Sequence, residues 1–204
     1  MNAIKTNPRI LLTGSTGQVG GVLLKMLPMI TDELWAATRQ ALDLYNPESI
    51  SAAVRQFNPD IIINPAAYTA VDQAEDDVKN CYTVNEAAVK HLAQALKQVN
   101  PNGVFIHYST DYVFDGTKTE PYLETDATNP QSIYGKSKLA GEYALVNAGI
   151  SHLIFRTSWV YSLFGKNFVN TIKRLAVERK ELTIVSDQLG APTSALEIAT
   201  ITLL

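Results

Sequence analysis

The chain is poor in the features that several protein classes depend on. Its 204 residues include a single cysteine, Cys81. One cysteine cannot close an internal disulfide or build a thiolate metal cluster, and it suggests a reducing compartment. There is no basic excess. Seventeen Lys and Arg stand against twenty Asp and Glu, for a formal net charge of -3. A general nucleic-acid binder needs a basic face, so that class is excluded. No apolar run approaches the roughly 20 residues of a membrane span. Met1 to Pro8 holds no apolar stretch ahead of a cleavage site, so no signal peptide is expected. The expected location is the cytoplasm, with no membrane partner. Repeats, low-complexity tracts and obvious linkers are missing too. What remains, 46% hydrophobic and 18% charged residues, is a globular composition able to bury one substantial core.

Short apolar runs alternate with helical patterns. Arg9–Thr13, Leu34–Thr38, Asp60–Asn64, Gly103–Ser109 and Leu153–Thr157 read as five strands. Val19, Val22, Leu23, Met26 and Leu27 recur at helical spacing, with Pro28 as a stop. Val89, Leu92, Ala93 and Leu96 mark a second helix face; Phe168, Ile172, Leu175 and Ala176 mark another. Continuous apolar strands separated by helices predict an α/β, Rossmann-like, doubly wound parallel sheet covered on both faces. Two stretches break the rhythm. Thr110 to Ile133 is a long excursion rich in Asp, Thr, Pro and Gly, and such loops at strand ends usually carry function. Ser194 to Leu204 reads as a helix that stops in mid-pattern. The expected organisation is a dinucleotide-binding domain over 1–186 and the start of an incomplete substrate-binding region over 187–204.

Gly14, Gly17 and Gly20 follow the first strand and open the first helix. Glycine permits the tight turn and the close approach of backbone to a pyrophosphate, whose charge the helix N-terminus favours. Gln18 and Val19 lie inside the same turn. The spacing is G-x-x-G-x-x-G, the variant typical of extended short-chain dehydrogenases. A nicotinamide dinucleotide is therefore the expected cofactor. NAD-dependent enzymes usually carry a carboxylate just after the second strand, but this stretch is Ala36-Ala-Thr-Arg-Gln40. Arg39 suits a 2'-phosphate because its fork is always charged, and Thr38 could donate to it. The alternative is a solvated surface arginine. The expectation is NADPH, with NADH open. Asp43 and Leu44 stand on the adenine side. Ala66 and Ala67, at the end of the third strand, let the backbone run beside the cofactor unless packing alone selected them. Thr69 is a candidate for ribose or phosphate.

Tyr134 and Lys138 are four residues apart at the start of a helix, so they share a face. A free phenol titrates near 10. An ammonium beside it favours the phenolate, which makes Tyr134 a candidate acid and Lys138 its electrostatic partner and a ribose ligand. The hydroxyl of Thr110, at the end of the fourth strand, is placed to polarise a carbonyl; its other role would be a turn cap. Ser109 is one residue off and should face the other way.

Five blocks then carry a resemblance: Ala70-Val-Asp-Gln-Ala-Glu75, Ser109-Thr-Asp-Tyr-Val-Phe-Asp115, Tyr134-Gly-Lys-Ser-Lys138, Arg156-Thr-Ser-Trp-Val-Tyr161 and Asp187-Gln-Leu-Gly-Ala-Pro-Thr193. Together they resemble the dTDP-4-dehydrorhamnose reductases. The resemblance implies an NADPH-dependent oxidoreductase that reduces the 4-keto group of dTDP-4-dehydro-6-deoxy-L-mannose to dTDP-L-rhamnose, a cell-envelope sugar donor. It implies Thr110, Tyr134 and Lys138 as catalytic residues. It also implies a nucleotide-sugar site lined by Thr110, Asp111, Tyr112 and Trp159, although core packing would equally explain Trp159. Family chains are longer, and their C-terminal part completes the sheet and covers the nucleotide-sugar. Some relatives carry a glutamate near the start of the first helix for magnesium-linked dimerisation. Val22 occupies that position here, so no metal is expected, and a homodimer stays open. Two other roles on this scaffold are a non-catalytic NADP-binding regulatory subunit and a nucleotide-sugar epimerase or dehydratase. The intact Thr110/Tyr134/Lys138 set argues against the first. Tyr112, where a dehydratase would want glutamate, argues against the second.

Overall fold

The computed structural model describes residues 6–204; the expectation of no leader therefore rests partly on positions outside the described residues. Five strands are observed: β1 (Ile10–Leu12), β2 (Leu34–Ala36), β3 (Ile61–Asn64), β4 (Val104–Thr110) and β5 (Ser151–Thr157). All pairings are parallel and the order is β2-β1-β3-β4-β5. Chain direction switches between β1 and β3, and in such sheets ligands bind at the carboxyl ends beside that switch. The strands match the sequence reading apart from their ends, which differ by one or two residues; β4 runs on to Thr110 and β5 starts at Ser151.

The helices are α1 (Gln18–Met26), α2 (Pro47–Phe57), α3 (Val71–Ala74), α4 (Val78–Tyr82), α5 (Ala88–Val99), α6 (Ile133–Ala148), α7 (Phe168–Glu178) and α8 (Ala195–Thr202). On one face Leu11, Ile62 and Phe105 pack with Ile50, Leu92, Leu96 and Leu145 of α2, α5 and α6. On the other, Ile10, Leu12, Ile63 and Ile106 pack with Leu23 of α1 and Ile198 and Ala199 of α8. Thus α8, which falls in the stretch expected to begin a substrate-binding region, shares a core with the five-stranded sheet. A small second sheet pairs β6 (Val160–Tyr161) with β7 (Thr193–Ser194). Among the described residues no helix is long and apolar enough to cross a membrane.

Local chemistry explains most helix ends. Asn46 accepts from the N–H groups of Glu48 and Ser49 at 2.9 and 3.2 Å and Pro47 follows it, while Asn58 closes α2 in the left-handed region. Ser132 caps α6 through Gly135 N–H at 3.1 Å, and Asn167 caps α7 through Asn170 N–H at 2.8 Å. α1 has no such cap: its N-cap Gly17 offers no side chain and its first turn has no acid. Its free N–H groups stay available. α7 departs from its expected amphipathic role, because none of its residues is buried. Periodicity identifies a helix but does not specify what covers its stripe.

Candidate functional site

The site lies where β1, β3 and β4 end. Gly14 has φ +55°, and a Cβ there would sit 2.7 Å from Ala66 N. The glycine thus lets the segment after β3 approach the turn, with Ala66 and Ala67 half-buried beside it. A Cβ on Gly20 would collide with the Gly14 carbonyl. Gln18 is drawn the other way. Its Oε1 accepts from Ser162 Oγ at 3.0 Å and Asn167 Nδ2 at 2.8 Å, and its Nε2 donates to Val160 C=O at 3.2 Å. It therefore ties the glycine turn to the loop after β6. Val19 and Val22 pack on the α1 side of the sheet.

Beyond β2, Thr38 and Arg39 are exposed. The Arg39 guanidinium lies 5.2 Å from the centroid of the Tyr45 ring. Asp43 is a turn residue, accepting from Tyr45 N–H at 3.0 Å, and Leu44 packs against the core. Thr69 is exposed.

Thr110 ends β4 and caps the short turn Asp111–Val113, accepting from Tyr112 N–H at 3.2 Å. It also donates to Asp111 Oδ1 at 3.2 Å, so the turn-cap role is real. It does not exclude the chemical one, because the Thr110 hydroxyl is near enough to Tyr134 to pull the phenol's pKa down. Burial outweighs that pull and sets Tyr134 at about 12. The Tyr112 ring meets Tyr134 edge-on, 5.9 Å between centroids.

Lys138 is 1% exposed. Its ammonium donates to Tyr108 C=O at 2.7 Å, and burial lowers its pKa to about 8 against an opposing pull from Glu142. The sequence suggested an ammonium acting directly on Tyr134. Here the resolved downward influence on the phenol is Thr110. Lys138 reaches the strand beneath instead, because its helix packs close enough to bury it. A Cβ on Gly135 would strike Tyr112 C=O, and one on Gly141 would strike Asn85 C=O, so both glycines permit that approach.

Several participants carry no obvious sequence signal. Asn85 sits in a single π-helical turn (Thr83–Ala87), accepts from Tyr68 N–H at 2.8 Å and donates to Ser137 Oγ at 2.9 Å. Such turns often mark functional sites. Glu75 accepts from Ile133 N–H at 2.8 Å, holding the start of α6. Asn64 accepts from Thr13 Oγ1 at 2.5 Å and donates to His107 Nδ1 at 3.2 Å. Burial, then the Lys138 charge, holds His107 neutral.

Trp159 keeps its backbone at φ +44°, a strained choice for a bulky residue. Its indole is 40% exposed and tilts against Phe168 at 5.9 Å. A Cβ on Gly190 would fall 2.6 Å from Nε1, so the 187–193 segment passes flat against it. Packing thus accounts for part of Trp159, while the rest of the ring stays open. Asp111 and Tyr112 stand half-buried at the same end of the sheet. Burial raises the Tyr112 pKa, helped by Asp111 and Asp72.

The excursion after β4 is ordered by Asp115. It accepts from Thr117 N–H and Oγ1, Tyr122 Oη and Asn129 Nδ2. Those bonds, Thr117 foremost, hold its carboxyl well below the usual range.

Known proteins share this arrangement. The family described as the RmlD substrate binding domain matches residues 8–204. The chain is 50% identical over 191 residues to a dTDP-4-dehydrorhamnose reductase of Burkholderia thailandensis, covering 94% of this chain and 63% of that protein. It is 48% identical over 189 residues to the Escherichia coli K12 dTDP-4-dehydrorhamnose reductase, covering 91% and 62%. The crystal structure of the Bacillus anthracis dTDP-4-dehydrorhamnose reductase in complex with NADP superposes with a TM-score of 0.91 at 37% identity, covering 97% of this chain and 69% of that one. The chain thus spans less than two thirds of the length of the first two relatives.

Proposed function

The chain belongs to the RmlD substrate binding domain family, and from that membership we propose that it is an NADPH-dependent reductase of dTDP-4-dehydro-6-deoxy-L-mannose, forming dTDP-L-rhamnose. A cytoplasmic location goes with this reading. The observation that carries it is the grouping of Thr110, Tyr134 and buried Lys138 at the carboxyl end of β4, beside an uncapped helix N-terminus entered through Gly14, Gly17 and Gly20.

The residues fit a dinucleotide. The cradle of the turn is one that Cβ atoms would fill. The first turn of α1 has no side-chain cap and no acid to compete with a pyrophosphate. Arg39, stacked on Tyr45, offers a preorganised fork to a 2'-phosphate. When bound, NADPH supplies the hydride that reduces the sugar carbonyl carbon. Thr110 Oγ1 donates to the carbonyl oxygen as negative charge develops there, and Tyr134 Oη delivers the proton. A phenol at about 12 is a poor acid while isolated, so its proton leaves readily only with a cation nearby. Lys138, an ammonium below about pH 8, is the buried cation on the same helix face. Asp111, Tyr112 and the open part of Trp159 line the approach to these hydroxyls.

The test is NADPH oxidation with dTDP-4-dehydro-6-deoxy-L-mannose, with Tyr134→Phe as control. Tyr134→Phe is expected to lower kcat by about 10²–10⁴-fold with little change in NADPH affinity. Wild-type turnover retained in the variant would remove Tyr134 from the mechanism, and no turnover in the wild type would refute the activity of this chain.

A further inference from the structure

Glu142 is 5% exposed and lies one helical turn beyond Lys138 on α6, on the same face. A carboxylate rarely stays charged so deep unless paired. Arg156 of β5 supplies the pair as a fork: Nε donates to Oε1 at 3.0 Å and Nη2 to Oε2 at 2.7 Å. The guanidinium lies 5.1 Å from the centroid of the Phe114 ring, and Phe114 stacks on Tyr122 at 4.2 Å. Nη1 reaches Glu124 C=O at 3.5 Å. Arg156 therefore joins the catalytic helix to the excursion that follows Thr110.

We propose that Glu142, locked by the Arg156 fork one helical turn from Lys138 on the same face of α6, is a positioning residue of the reaction that acts through the Lys138 ammonium. The inference rests on the reductase reading for its role in turnover, but the charge of Lys138 can be measured without it. The titratable groups acting on Lys138 are Glu142 on its own helix, Cys81 on α4 and His107 on β4. His107 is held neutral, and Cys81 contacts Ser137 Oγ at 3.1 Å. Glu142 supplies the largest resolved influence opposing the loss of the Lys138 proton. Arg156 keeps that carboxylate aligned by bonding both of its oxygens.

The experiment is an NMR titration of the Lys138 side chain through its ε-carbon, assigned by loss of the signal in Lys138→Met. It needs neither cofactor nor substrate. Glu142→Gln is expected to lower the Lys138 midpoint by about one pH unit, the ordinary effect of one nearby opposite charge. Because Glu142→Gln leaves Arg156 unpaired, the double variant Glu142→Gln/Arg156→Met is titrated too; it removes both charges, and its midpoint should also fall. An unchanged midpoint in either folded variant would overturn the proposal. In turnover, activity should disappear at lower pH in Glu142→Gln than in wild type, with NADPH KM little changed. A wild type without turnover would sink the reductase reading, while the NMR midpoints would still decide the role of Glu142.

Discussion

Gly20 and Gly21 are neighbours inside α1, and the structure assigns opposite outcomes to the same substitution. On propensity alone, Gly→Ala in a helix interior stabilises by about 1 kcal/mol. At Gly20 the new Cβ would meet only backbone: the Gly14 carbonyl oxygen, its carbon at 2.7 Å and Ser15 Cα at 3.0 Å. Those atoms form the turn and cannot step aside singly. Forced overpacking costs about 1–3 kcal/mol; set against the propensity gain of about 1 kcal/mol, Gly20→Ala should lose up to about 2 kcal/mol net. At Gly21 the nearest atoms are Cε2 and Cζ of Phe164, at 2.9 and 3.1 Å. Phe164 is 36% exposed and its ring can swing, so Gly21→Ala should keep most of the propensity gain. For a chain of this size each kcal/mol moves Tm by roughly 2–4 °C. Thermal melts should therefore show Gly20→Ala several degrees below wild type and Gly21→Ala level with it or above. NADPH fluorescence titration should find weakened binding in Gly20→Ala alone. A Gly20→Ala protein as stable as Gly21→Ala would refute the argument, because propensity would then have outweighed the collision.

Arg39→Ala should weaken NADPH by about tenfold or more while leaving NADH nearly unchanged, as expected for one charge-assisted phosphate contact; equal losses would discard the 2'-phosphate role. Lys138 makes stability depend on pH in the alkaline range. Its folded pKa, about 8, lies below the ordinary 10.5. Between those values the unfolded chain holds a proton that the folded chain has released, so stability rises with pH. The rise should reach about 3 kcal/mol by pH 10.5, and Lys138→Met should lack it. Urea midpoints of both proteins at pH 7 and 10.5 measure the difference, and parallel curves would contradict the buried ammonium.

Much of the fold was legible because its determinants are local. The strands are continuous apolar runs between turn signals, and the apolar residues of α1 and α5 recur at helical spacing. Gly14, Gly17 and Gly20 announce a tight strand-to-helix turn through spacing alone, and Tyr134 and Lys138 share a face for the same reason. Periodicity overreached at α7, whose stripe is not buried, because a pattern states a preference for burial and not a partner.

By itself, then, the sequence determined the α/β class, the glycine turn and the shared helix face of Tyr134 and Lys138, since each depends on spacings of a few residues. Tertiary structure alone decided what those groups touch. Lys138 reaches Tyr108 C=O, thirty residues back. Arg156 finds Glu142 because β5 pairs with β4 in the register that sets Arg156 opposite Ser109. Trp159 takes its left-handed backbone, and Gly190 lies flat against its indole. Such contacts follow from strand register and helix approach, which long-range packing sets and no local pattern encodes.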